Sequence, residues 1–224
     1  MRTEYHENLS QLARLLHEMC LRDRTAIATA TNALVGGDID QANLVIDIGA
    51  EVEAMAREAE QEAMRLLALQ SPVARELRQV VTGIQLTGNL QRMATLATHI
   101  ATAARRRHPE GAIPEPIQPL ISRMGSAAVV IATGAAAVIE APDPDTAAGL
   151  DQQDDLMDHL HEELLATLLD PAWAHGITTA VDLTLLGRYY ERFADNAVEV
   201  GRRTIFLATG EKADEWSPAH RGDD

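Results

Sequence analysis

Apolar residues recur at helical spacing along nearly the whole chain. Leu183, Leu186, Tyr190, Phe193 and Ala197 follow one another at three- and four-residue intervals, as do Met157, Leu160, Leu164 and Leu168. At about 100° per residue each set falls on one face of an α-helix, the face expected to meet a core. No convincing run of period-two alternation bounded by turn residues interrupts this pattern, so strands are not predicted. The periodicity is broken at Gly36-Gly37-Asp38, Gln70-Ser71-Pro72, His108 to Pro116 (HPEGAIPEP), Ala141 to Asp145 (APDPD) and Asp170 to Gly176 (DPAWAHG). Gly, Pro and Asp terminate helices. Five breaks therefore predict an all-α fold of six helices, most of them about 25 residues or longer, as in long antiparallel bundles with short connections.

The chain reads as a duplication. At an offset of 100, Val81/Val181, Leu86/Leu186, Arg92/Arg192, Ala94/Ala194 and Ala97/Ala197 are identical. At an offset of 105, so are Leu15/Leu120, Met19/Met124, Asp38/Asp143, Asp40/Asp145 and Ala42/Ala147. A helix-helix-helix unit is thus written twice, the second copy five residues shorter between its second and third helices. The period is too long and the copies too few for a solenoid, and two tandem three-helix bundles are predicted. The boundaries are 1–108 for the first bundle, 109–116 for a linker, 117–212 for the second bundle and 213–224 for a polar tail. A protease is expected to cut first in HPEGAIPEP and to release two halves of similar size.

Composition narrows the function. With 224 residues, 46% of them hydrophobic, the chain can bury a substantial core. A formal net charge of −15 argues against a nucleic-acid backbone as partner and favours a protein or a metal ion. The N-terminus MRTEYHENL lacks an apolar signal core, and the apolar run Ala127 to Ile139 is interrupted by Thr133 and Gly134, short of a membrane span. The lone Cys20 can form no internal disulfide and reads as a small buried apolar residue in a reducing cytoplasm.

Acids beside the core faces supply the candidate chemistry. Asp154, Asp158 and His161 form a stripe on the fifth helix, and Glu191 and Asp195 flank the core face of the sixth. Four carboxylates meeting across a groove would repel one another unless a hard cation sat among them, and oxygen donors suit Mg, Ca, Mn or Fe. Spacing alone favours solvated helix flanks, because acids four residues apart are common on exposed helices. Asp158-x-x-His161 has half of a ferritin-like di-iron spacing, but the second such pair is missing. The HEELL and HEMCL segments, from His161 and from His17, lack the second His of a zincin, and neither a nucleophile elbow nor a Gly-rich phosphate loop is present. The run Arg105-Arg106-Arg107 closes the third helix, where cations meet the helix dipole favourably; contact with an acidic partner is the alternative.

The leader PVARELR, Pro72 to Arg78, and the paired motifs NLQRMATLA, Asn89 to Ala97, and YYERFADNA, Tyr189 to Ala197, carry a resemblance. With LLALQSP before the leader and the closing IFLATG, they make the chain similar, over residues 3–210, to the PhoU family of phosphate-signalling proteins, and most to its actinobacterial type. The resemblance implies two three-helix repeats and a non-enzymatic cytoplasmic adaptor. Such an adaptor couples the phosphate ABC transporter, through its ATP-binding subunit, to a sensor histidine kinase and represses phosphate-starvation genes when phosphate is plentiful. It also implies a homodimer that meets the membrane only through its partners. Acid-xxx-acid pairs on adjacent helices hold iron or another divalent metal cluster in the family. Carried over position by position, Asp154, Asp158, Glu191 and Asp195 complete such a set in the second half only; His161 is a candidate additional ligand from its spacing to Asp158, not from the resemblance. In the first half the aligned positions are Gly49, Glu53, Asn89, Gln91 and Thr95, a degenerate site with one carboxylate, in which helix packing is expected to persist through Arg92, Ala94 and Ala97. A metal store or carboxylate-bridged metalloenzyme on the same bundle is the alternative, and the lack of any other acid, base or nucleophile constellation favours the adaptor.

Overall fold

A computed structural model of the chain describes residues 2–70 and 72–217; Ser71 of the second predicted break and residues 218–224 of the polar tail lie outside the described residues. Six α-helices follow in order: α1 Arg2–Gly36, α2 Ile39–Gln70, α3 Ala74–Arg107, α4 Gln118–Glu140, α5 Pro144–Leu169 and α6 Gly176–Thr209. A 3-10 turn, Glu115–Ile117, precedes α4. Each predicted break separates two helices, although Gly36 and Gln70 are still helical, Gly176 opens α6, and Pro144 with Asp145 belongs to the first turn of α5. Asp143 explains the last of these. Its carboxylate accepts from the Thr146 backbone N–H at 2.9 Å, a side-chain cap that starts the helix before the acid-rich segment ends. The missing residues of the second repeat are lost from the end of α5, where DPAWAHG replaces helix.

Within each repeat the three helices pack on one another, but the repeats are not separate bundles. α1 lies along α4, α3 lies along α6, and α4 also touches α6. These four helices form the centre, with α2 packed outside on α1 and α3, and α5 outside on α4 and α6. One continuous apolar cluster runs through both repeats. Because the boundary falls between α3 and α4 while the halves share their core, a cut at the linker is now expected to leave the two halves associated rather than to release them.

With only 3% aromatic residues the core is made mainly of Ala, Leu, Ile, Val and Met, which lets helix axes approach closely; Tyr190 and Phe193 are its largest fully buried side chains. Gly125 on α4 shows the limit: a Cβ there would stand 2.4 Å from the Thr31 Cγ2 on α1. Thr31 in turn shares a 2.8 Å hydrogen bond with the hydroxyl of Tyr190, which is fully buried on α6. Burial pushes the Tyr190 phenol far above its usual range, so it stays neutral. Two of the arginines closing α3 tie it to α6. Arg106 donates to Asp182 on α6 at 2.9 Å, and Arg107 donates to the other oxygen through Nε at 2.8 Å. The run thus serves an acidic group within the chain. Arg78, at the end of the leader, lies over the Phe206 ring at 5.7 Å and beside Gly210, whose left-handed φ of 85° ends α6.

α4 with its preceding turn, Glu115–Glu140, is the one stretch among the described residues long and apolar enough to cross a membrane, so the interruption at Thr133 and Gly134 does not bring it below that limit. In the fold it packs against α1, α5 and α6. Cys20 is buried against α4, its thiol 3.6 Å from the carbonyl of Ala132.

Candidate functional site

α5 and α6 run side by side and bring the predicted acids to one groove. Met157, Leu160 and Leu164 bury one stripe of α5, while Leu186, Tyr190 and Phe193 do so on α6, and the acids stand on the adjoining shoulders. Asp154 is half-buried, and its carboxyl is pushed up to about 7. Burial is the main cause; the charges of Asp158, Asp195, Glu191 and Asp151 follow in that order. Four of the groups acting on one proton are therefore carboxylates from two helices. Asp151 is itself neutralised by Arg202 at 3.0 Å.

The groove is under-satisfied. Asp154 Oδ1 and Glu191 Oε2 are buried and have no hydrogen-bond partner. The other Glu191 oxygen accepts from Arg188. Asp158 and Asp195 are exposed at the rim. His161 sits one turn further along, packed over Gly187, where an added Cβ would lie 3.1 Å from its ring. Among the described residues no three His, Cys, Asp or Glu side chains converge as metal ligands in the geometry seen. The donor set nonetheless fits a hard cation: all-oxygen, crowded by like charge, with two inward-facing oxygens unpartnered. Asp154, Asp158, Glu191 and Asp195 would hold it.

The first half has no such groove. Glu53 is exposed and paired with Arg57 at 2.7 Å. Thr95 spends its hydroxyl on the carbonyl of Gln91 at 2.8 Å. At Gly49 the hydroxyl of Thr98 fills the place of a side chain, 2.5 Å from where a Cβ would be. Asn89 does not belong with the others. It donates to Asn196 Oδ1 at 3.1 Å and accepts from Arg203 Nε at 3.1 Å, both on α6. The spacing carried this signal, since two residues turn a helix by about 200° and place Asn89 opposite Gln91. Its repeat counterpart Tyr189 behaves alike, lying 5.2 Å from the His99 ring of α3. Arg92 is exposed, so packing in this motif rests on Ala94 and Ala97.

Comparison with known proteins agrees with this architecture over nearly its full length. The PhoU domain model matches residues 16–104 and 121–204, one match for each repeat. The phosphate-specific transport system accessory protein PhoU homolog 2 of Mycobacterium tuberculosis is 47% identical over 210 residues, covering 94% of this chain and 99% of the relative. PhoU homolog 1 of the same organism is 45% identical, covering 94% and 95%. Among solved structures, PhoU from Pseudomonas aeruginosa superposes with a TM-score of 0.84 at 23% identity, covering 92% of this chain and 100% of that one. The phosphate transport system regulatory protein PhoU from Streptococcus pneumoniae gives 0.83 at 20%, covering 93% and 98%. The fold is shared with those structures, the sequence with the mycobacterial proteins, and the chain belongs to the PhoU family, on its actinobacterial side.

Proposed function

We propose that this protein is a regulatory adaptor of phosphate-specific transport. It couples the state of the phosphate ABC transporter to a sensor histidine kinase and keeps phosphate-starvation genes off when phosphate is plentiful. The observation that carries the reading is the 47% identity, over 94% of the chain, to a phosphate-specific transport accessory protein. The site chemistry is compatible with it, since the unusual side chains form a carboxylate groove and lack the nucleophile and base of a hydrolase. The protein works in the cytoplasm as a homodimer, meeting the membrane through its partners. The test is affinity capture: the tagged protein should retain the transporter's ATP-binding subunit or the kinase from solubilised membranes. Failure to retain either, with both present in the input, would sink the adaptor reading.

A cation in the second half is a second element of the proposal, supported by the unpartnered oxygens of Asp154 and Glu191. Iron or another divalent metal there would neutralise the crowding and draw the exposed Asp158 and Asp195 inward. Titration calorimetry with iron, manganese and magnesium should show binding that Glu191→Gln with Asp195→Thr abolishes. Heat curves unchanged by that pair of substitutions would reduce the groove to a solvated flank.

A further inference from the structure

At the end of the molecule where α1 and α3 begin and α4 and α6 finish, a cavity of about 170 Å3 lies between the four central helices. Its walls are mainly apolar, with Leu12, Leu16, Leu86, Val138 and Ile139 among them. Thr82 on α3 also lines it. That residue is 1% exposed, and its hydroxyl has no hydrogen-bond partner. The contrast with its neighbours is sharp: buried Thr31, Thr87 and Thr204 each donate to the carbonyl four residues back. A helical threonine can ordinarily satisfy itself in this way. Thr82 forgoes that bond at the wall of a cavity, and a buried donor left unmade is costly unless something in the cavity accepts it.

Size and polarity define what that is. Apolar cavities of about 150 Å3 accept molecules the size of benzene, whereas drug-sized ligands need about 300 Å3 or more. Nucleotides and phosphorylated sugars are too large. The charged residue lining the cavity is Glu140, an anion that opposes phosphate. We propose that the cavity binds a small, uncharged, largely apolar molecule with one hydrogen-bond acceptor, whose polar atom takes the proton of the Thr82 hydroxyl. The site is independent of the acidic groove and of the adaptor reading.

Methyl NMR on the full-length protein tests it, with cyclohexanone as probe and cyclohexane as the same ring without an acceptor. Both should shift the methyls of Leu12, Leu86, Val138 and Ile139 saturably, the ketone binding roughly fivefold tighter, the worth of one neutral hydrogen bond. In Thr82→Val both should still bind and the ketone's advantage should vanish. Because the lost hydroxyl had no partner, that variant should melt no lower than the parent. Ala13→Phe, at the exposed mouth, should block both probes. The proposal is overturned if neither probe shifts those methyls at millimolar concentration, if the ketone keeps its advantage in Thr82→Val, or if folded Ala13→Phe binds both unchanged.

Discussion

Replacing Asp23 should make the protein more stable at neutral pH and remove part of its pH dependence. This aspartate lies in the middle of α1, fully buried, and neither carboxylate oxygen has a hydrogen-bond partner. Burial holds its carboxyl well above the usual carboxylate range. The sign follows from proton binding. Above the ordinary value of 3.8 the unfolded chain releases this proton while the folded chain keeps it, so stability falls as pH rises until the folded group ionises. Within that window the slope approaches about 1.4 kcal/mol per pH unit. Asp23→Asn cannot ionise and should lack this slope. Urea unfolding followed by circular dichroism, at several pH values between about 4.5 and 6.5, gives both curves. Asp154 also titrates in this region, but it does so in both proteins and cancels in the difference. Parallel pH curves for the two proteins would refute the assignment of a buried, protonated Asp23.

Gly125→Val should destabilise by about 1–3 kcal/mol in the same assay, because its side chain must displace Thr31 and with it the hydrogen bond to Tyr190. Nicking the linker at HPEGAIPEP should yield two fragments on a denaturing gel that still co-elute on size exclusion, since α1–α4 and α3–α6 share one core; Asp182→Ala, which frees Arg106 and Arg107, should lower the urea concentration at which they part. Gln91→Glu with Thr95→Asp should give the first half weaker metal binding than the second by calorimetry, because Gly49 contributes no ligand; adding Asn89→Asp should not strengthen it, as that side chain faces α6.

Helix limits were legible because Gly, Pro and Asp punctuate them, and the core stripes of α5 and α6 because the apolar period there is unbroken. Met157, Leu160, Leu186 and Phe193 are all buried as that period requires. The second-half acids could be placed on facing shoulders for the same reason. Periodicity gives a residue's face but not the helix that covers it, which is why the packing of one repeat on the other, through Tyr190, Asn89 and Asp182, could not be read. Asp23 is a different case. With Met19, Cys20, Ala26 and Ile27 it falls on the apolar stripe of α1, so its burial was encoded in the spacing, but its polarity hid it. Likewise Thr82 reads as an ordinary helical threonine, and only the missing bond to its own carbonyl sets it apart.

The adaptor reading is tested most directly in the organism. A clean deletion, assayed for a phosphate-starvation reporter such as secreted phosphatase in phosphate-rich medium, should show the reporter on, and the intact gene supplied in trans should switch it off again. Normal repression in a strain lacking this gene and any second copy of it would contradict the account.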